Sequence, residues 1–345
     1  SFNFGLLNSY DAYVWVIAFI LYDLSYYWLH RCHHEIKILW ASHVVHHHGE
    51  EFNLSTALRQ TGTDFLFKWI FYCPLLFLGV PPEIFVTVAA LNLIYQFWVH
   101  TEHIDRLGII DYILVTPSNH RIHHAQNKEY VDANYGGVFI IWDRIFGTFI
   151  DERKDLKPVY GTSKPLKSWN PFWANFEVWV EMIKDSWRTK KWSDKVKVWF
   201  SRPKWRPEDV SKKYPIVKND MAAFHKYDPK INLTSKIFAF SQLIFGSSFS
   251  MIIFFNFALL SYLDLFLVGF VITSTLVFAS FLFENNFYGY YFELIRSVIV
   301  LFLISLGNLN YLQEVLIAHS LISMLICSYV IMFNRKRIGE TIEAG

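Results

Sequence analysis

Apolar residues run through this chain in long blocks, and its polar residues gather at the ends of those blocks. Residues 11–29 are apolar, and after Asp11 at the edge their one charged side chain is Asp23. A run of about 18–20 such residues is enough to cross a bilayer as a helix. Residues 65–99 form the next block, interrupted by Gly79-Val80-Pro81-Pro82. A proline pair stops a helix and favours a turn, so this block predicts a hairpin, 65–79 out and 83–99 back. Residues 136–150 are apolar but short and broken, which predicts a packed segment rather than a span. Residues 237–260 and 265–283 are uncharged and of spanning length, and shorter apolar segments follow at 297–309 and 311–333. The pattern predicts an all-α, polytopic membrane protein in three parts. Residues 1–160 hold membrane helices and candidate chemistry, 161–232 a polar insert, and 233–345 further membrane helices.

Composition agrees. The 345 residues would suffice for two soluble domains, but 53% are hydrophobic, 19% aromatic and only 18% charged. Ser1 stands where an initiator methionine would, and an apolar block begins almost at once, so we expect residues upstream. No basic leader precedes 11–29, so that block reads as a mature span and not a signal peptide. Cys32, Cys73 and Cys327 are too few and scattered for a disulfide framework. Cys32 reads as a small filler.

Charge is uneven. Residues 151–230 hold 19 Lys and Arg against 11 Asp and Glu, and seven of the 13 tryptophans fall in 169–205. Phe172, Phe176, Trp179, Ile183 and Trp187 follow a helical stripe. Tryptophan beside Lys and Arg reads as a helix in the membrane interface, with a cytosolic cap as the competing reading. Flanking spans argue against a nucleic-acid surface, and no nucleic-acid partner is expected. Four crossings after the basic insert return the chain to the same side, and Arg335-Lys336-Arg337 then mark that side as cytosolic under the positive-inside rule.

The candidate chemistry is histidine. Ten of the 14 histidines lie in three boxes, His30-Arg31-Cys32-His33-His34, His43-Val44-Val45-His46-His47-His48 and His120-Arg121-Ile122-His123-His124. His100 and His103 lie just past the hairpin's return. Residues three and four apart share a helix face, and imidazole is the commonest side-chain metal ligand. We expect His30, His34, His43, His46, His47, His100, His120, His123 and His124 as ligands. His103 is a weaker candidate, and His33 and His48 are less favoured. His319 reads as packed in a span and His225 as surface. Eight or nine histidines are too many for one ion and fit two. A nitrogen-rich dimetal site with open positions points to iron and O₂ activation, at a depth an alkyl chain could reach. The hairpin has a function here, because it returns His100 to the side of the membrane that holds the first two boxes. Glu35 could orient a ligand, relay a proton or bind metal through water. Asp23, two helical turns before His30, is either a carboxylate orienting a ligand or a solvated group near a vestibule.

The order HRCHH, HVVHH, NHRIHH resembles the fatty acid hydroxylase and sterol desaturase superfamily of membrane non-haem iron enzymes. Residues 51–60 (EFNLSTALRQ), 93–102 (LIYQFWVHTE), 116–124 (TPSNHRIHH) and 134–149 (NYGGVFIIWDRIFGTF) are similar to its alkylglycerol monooxygenase branch. The resemblance covers roughly residues 10–170. It implies ether-bond cleavage of alkylglycerols by O₂-dependent hydroxylation, two non-haem irons, and tetrahydrobiopterin as electron donor, with a reductase as the other possible donor. It also implies that the eight histidines of the boxes are ligands and that Glu35 supports activity. The expected partners are a bilayer lipid, O₂ and the electron donor. The expected location is the endoplasmic reticulum of a eukaryote or the inner membrane of a bacterium, with the site facing the cytosol. The competing readings are a sterol, sphingolipid or carotenoid hydroxylase or desaturase, and, from a different class, a metal transporter. Transport would place polar ligands within spans near the midplane, whereas these boxes lie at span ends.

Overall fold

The computed structural model describes residues 4–306 and 311–333. The basic triplet Arg335-Lys336-Arg337 lies outside the described residues. In chain order the helices are α1 (Ala12–Glu35), α2 (Lys37–Ala41), α3 (Val44–His47), α4 (Leu54–Ala57), α5 (Lys68–Leu78), α6 (Pro82–Trp98), α7 (Pro117–His123), α8 (Ile141–Ile145), α9 (Pro171–Arg188), α10 (Trp192–Phe200), α11 (Glu208–Lys213), α12 (Leu233–Asn256), α13 (Tyr262–Phe283), α14 (Tyr288–Leu306) and α15 (Tyr311–Phe333). Among the described residues there is no strand, only the isolated bridges Leu114 to Phe139 and Ala125 to Tyr160. Among the described residues, five helices are long and apolar enough to cross a membrane: α1 and α12 to α15.

The described chain divides into two compact units. The first takes the residues up to Leu166 together with Ala174–Lys226, and the second takes Lys167–Trp173 together with the residues from Tyr227 onward.

In the first unit, α1 packs against the hairpin. Val14, Ala18, Tyr22 and Leu29 meet Tyr72, Leu75, Ile84 and Val88, with the Tyr22 and Tyr72 rings stacked at 4.5 Å. The hairpin turns at Gly79, whose φ of 96° caps α5 in a left-handed conformation that favours glycine. At 11 residues, α5 is about 16 Å long, roughly half a bilayer core, so this limb matches a re-entrant segment better than a full crossing.

The basic insert packs partly inward. Val178, Met182, Val198, Trp199 and Trp205 close over Trp40, Ala41 and Val44, covering the helices of the second histidine box. The stripe predicted on α9 is its outer face: Ile183 and Trp187 are 55% and 85% exposed, while Ala174, Val178 and Met182 are buried. Trp179 departs from the stripe and stacks on Phe67.

The second unit is a bundle of α12 to α15 around Phe249, Val268, Val271, Val300 and Leu316. Its third span begins at Tyr288, nine residues before the predicted start at 297. Glu293 and Arg296 explain the difference. Both are buried, and the guanidinium Nη2 donates to the carboxylate at 2.6 Å, so one helical turn neutralises its own charges inside the bundle. His319 hydrogen-bonds Gln242 at 2.9 Å and stacks on Phe245.

Candidate metal centre

The first box occupies the last two turns of α1, so His30 and His34 project from one face. The chain turns at Ile36 and delivers His43 immediately before α3, which carries His46 and His47. His100 follows the end of α6 by two residues. The third box lies on α7, whose entry is fixed by Asn119: its Oδ1 accepts the Thr116 N–H at 3.0 Å.

These elements bring all nine favoured histidines into two groups. His30, His34, His43, His47 and His123 form one, and His46, His100, His120 and His124 the other, with candidate ligand atoms in each group within 4.8 Å of one another. Sequence neighbours fall on opposite sides of this division. His46 and His47 part company, as do His123 and His124, because successive helical residues project about 100° apart. Each such pair ties the two groups together, and the His47 and His124 rings lie 4.5 Å apart.

Backbone carbonyls orient the rings. Nδ1 of His30 lies 2.9 Å from the Tyr135 carbonyl, that of His123 2.8 Å from Ala133, and that of His100 2.7 Å from Gln96. His46 Nδ1 faces the Arg59 carbonyl at 3.3 Å. A carbonyl can only accept, so Nδ1 carries the proton and the Nε2 lone pair points inward. Burial holds His43, His46, His47, His120 and His124 well below the usual imidazole pKa, and His100 and His123 at about 4. The rings are therefore neutral near pH 7, the form that binds metal.

The arrangement fits metal ions on its own geometry. Nε2 of His30, His34 and His123 are buried with no hydrogen-bond partner in the described protein. Elsewhere Nε2 atoms face each other: His120 and His100 at 3.0 Å, His47 and His43 at 3.1 Å, His124 and His120 at 3.2 Å, His46 and His100 at 3.3 Å. His46 and His100 both carry the proton on Nδ1, so their Nε2 lone pairs converge, and such a pair repels unless an electrophile lies between them. Two nitrogens each about 2.1 Å from one ion, at tetrahedral or right angles, would be about 3.0–3.4 Å apart.

The remaining candidates lie outside both groups. His33 faces Asp64 at 3.4 Å, and His48 faces Glu177 at 3.7 Å. His103 is exposed, and so is His225. Cys32 is partly buried and belongs to neither group. Glu35 is held by Arg31 at 3.0 Å, with its side chain 35% exposed.

Asp23 takes neither role weighed from the sequence. It is fully buried and touches no imidazole. Its Oδ1 accepts from Asn92 at 2.7 Å and the Val138 N–H at 2.8 Å, and its Oδ2 from the Phe139 N–H at 3.0 Å and Trp142 at 2.9 Å. It fastens the segment after the third box to α1 and α6. A Cβ at Gly137 would come within 2.8 Å of Asp23 Oδ1 and the Tyr26 ring, so glycine permits this approach.

Sequence reasoning missed the loop at 133–137, which supplies carbonyls to His30 and His123. Asp143 holds it by accepting the Tyr135 and Gly136 N–H groups and the Thr148 hydroxyl, each at 2.7 Å. Asn134, at φ 57°, bridges to Asn119 and Ile150. The string Asn134-Tyr135-Gly136-Gly137 was the available signal, since Asn and Gly tolerate such backbone.

A cavity of about 540 Å³ ends on His30, His43, His46 and His100, and its outer wall includes Leu58, Leu93, Ile94 and Phe97. Leu58, Leu93 and Ile94 are more than half exposed, so this side of the centre opens through apolar surface.

A membrane protein with histidine boxes at helix ends around a buried centre is the class this geometry defines, and residues 15–148 match the family model for fatty acid hydroxylases. Among curated proteins, human alkylglycerol monooxygenase is 37% identical over 314 residues, covering 89% of this chain and 69% of the relative. The alkylglycerol monooxygenase of Xenopus tropicalis is 41% identical over 221 residues (64% of this chain, 49% of the relative), and that of Danio rerio 44% over 207 residues (60% and 46%). The chain belongs to the alkylglycerol monooxygenase family. It spans about half the length of the Xenopus and Danio relatives that it matches. No solved structure matches it.

Proposed function

We propose that this chain carries the catalytic centre of a lipid monooxygenase acting on alkylglycerols. The carbon beside the ether oxygen is hydroxylated with O₂, and the resulting hemiacetal collapses to a fatty aldehyde and a glycerol derivative. The observation that carries the reading is the pair of inward-facing histidine groups at the end of a cavity with an apolar outer wall, in a chain of this family.

In this reading the nine histidines hold two iron ions, five ligands in one group and four in the other. The ions would supply O₂ activation and a strong oxidant for the C–H bond. The protein's own part is to hold neutral imidazoles in fixed tautomers through the Tyr135, Ala133 and Gln96 carbonyls. Leu58, Leu93, Ile94 and Phe97 guide the alkyl chain in from the bilayer, while its polar head stays near the basic insert. Glu35, at the end of α1, moves a proton or steadies a ligand. The electron donor suggested by family resemblance is tetrahydrobiopterin. The centre faces the cytosol, at the endoplasmic reticulum in a eukaryote or the inner membrane in a bacterium.

The test is turnover of an alkylglycerol by iron-loaded protein in membranes, with the aldehyde trapped and His123→Ala as control. Reductant- and O₂-dependent aldehyde that disappears in the variant supports the reading. Absence of aldehyde from protein that retains two irons would overturn it and direct the search to a sterol or sphingolipid.

A further inference from the structure

A second cavity reaches the histidine groups from another side. It measures about 310 Å³ and ends on His34, His47, His123 and His124. No histidine of the two groups lines both cavities. The rings between them are in contact, with centroids 4.4 Å apart for His30 and His123 and 4.5 Å for His46 and His124. These ring contacts stand between the two cavities, so an alkyl chain in the first meets the histidines before it could reach the second.

The cavities also differ in charge. Beyond its histidines, the first is lined by Asp64 and Lys68 as its charged residues. The second is lined by six Lys and Arg against three Asp and Glu. Some of these charges are committed: Lys164 pairs with Glu177 and Glu181, and Arg206 with Asp185. Lys128 and Lys218 are exposed, and Lys204 stands 3.8 Å from Asp132. The rim therefore presents positive charge, which favours an anionic or acceptor-rich ligand. The volume is at the small end of ligand sites, which run from about 300 to 1,000 Å³.

Hydroxylation itself calls for a second molecule. A C–H bond and O₂, with two electrons and two protons, give an alcohol and water. The lipid supplies two of the four electrons that reduce O₂, and a separate reductant must supply the other two. On the monooxygenase reading given above, we propose that the charged cavity binds this reductant, a small water-soluble donor with an anionic or acceptor-rich edge. It gives up two electrons and two protons beside the edges of His34, His47, His123 and His124, while the lipid occupies the other cavity. The two ligands then bind without competing.

The experiment uses the iron-loaded chain in nanodiscs, with tetrahydrobiopterin and ascorbate as probes. Binding is measured by anaerobic calorimetry, and KM for donor and for lipid by turnover. The variants are Lys204→Glu with Lys218→Glu, Ser163→Trp at the exposed edge of the charged cavity, and Leu93→Trp in the apolar one, each checked for an unchanged melting temperature. The charge and Ser163 variants are expected to weaken Kd and KM for at least one donor tenfold or more, with KM for lipid unchanged. Leu93→Trp is expected to do the reverse. Competition between donor and lipid, no binding of either donor by the parent protein, or an unchanged donor Kd in both cavity variants would overturn the proposal. If no alkylglycerol is turned over, the function falls, and the anaerobic binding comparison still decides the site.

Discussion

Asp143 accepts the backbone N–H of Tyr135 at 2.7 Å, and the carbonyl of that same tyrosine lies 2.9 Å from His30 Nδ1. A buried carboxylate thus sets the position of the carbonyl that fixes a candidate ligand, one residue removed from the imidazole. Asp143→Asn keeps the size but replaces one acceptor with an NH₂ that cannot accept. We expect a loss of about 2–4 kcal/mol of stability, since hydrogen bonds to a charged acceptor are worth about 1.5–3 kcal/mol each. Metal affinity should fall about 10–100-fold, the usual cost of losing such support. Thermal unfolding and metal analysis check both.

The Asp23 and Gly137 contact makes a second, purely steric prediction. Gly137→Ala places a methyl 2.8 Å from both a carboxylate oxygen and an aromatic ring in a packed region, so something must shift. The expected cost is about 1–3 kcal/mol, with iron content reduced through displacement of the 133–137 loop. Denaturant unfolding of the metal-free protein separates the two effects.

Division of the histidines into five and four predicts separable ions. His100→Ala should lower bound metal from two ions to one, and His43→Ala should remove the other. Elemental analysis of the two variants, with a Mössbauer or absorption spectrum of each, reads this directly. Loss of both ions from each variant would mean that the two groups bind as one unit.

The pH dependence follows from burial. His100 and His123 have folded-state pKa values of about 4, against an ordinary 6.5, and His43, His46, His47, His120 and His124 are also lowered. Between about pH 4 and 6.5 the unfolded chain binds more protons than the folded one, so stability rises with pH across that window. The stabilisation is fully present above 6.5 and is lost as the pH falls towards 4. Asp143, pushed up to about 6 by burial, has the opposite sign: its contribution is present below about pH 4 and lost as the pH rises through 6. Burial raises Asp64, Asp132 and Glu177 as well, but these seven histidines together with His48, lowered to about 3, outnumber the four carboxyls, so metal-free protein should unfold more easily with acid. Melting temperatures between pH 4 and 8 give the test.

Glu35→Gln separates chemistry from support. The Arg31 contact is partly exposed, and such ion pairs are worth about 0–1 kcal/mol, so folding and metal content should hold. If Glu35 moves a proton, turnover falls about 10²–10⁴-fold with KM for lipid little changed. Unchanged turnover would leave Glu35 as a surface partner of Arg31.

By itself the sequence determined the helical membrane architecture, the hairpin at Gly79 and Pro81-Pro82, and the nine histidines worth following. These depend on local rules: apolar run length, proline's missing donor, and the i, i+3, i+4 face of a helix. Tertiary structure decided how those histidines divide. Helical spacing puts His46 beside His43 and His47, yet the fold brings His100, from just past α6, and His120 and His124, from α7 and its C-cap, to it instead. Tertiary structure also decided that Asp23 serves backbone amides rather than an imidazole, because its partners lie more than 110 residues away at Val138, Phe139 and Trp142. The carbonyls at Ala133 and Tyr135 left no trace in side-chain pattern, since every residue carries a carbonyl and only the folded loop aims it. Likewise, the early start of α14 required Glu293 and Arg296 to be seen paired, for a charge at a predicted helix edge reads as solvated until its partner is found.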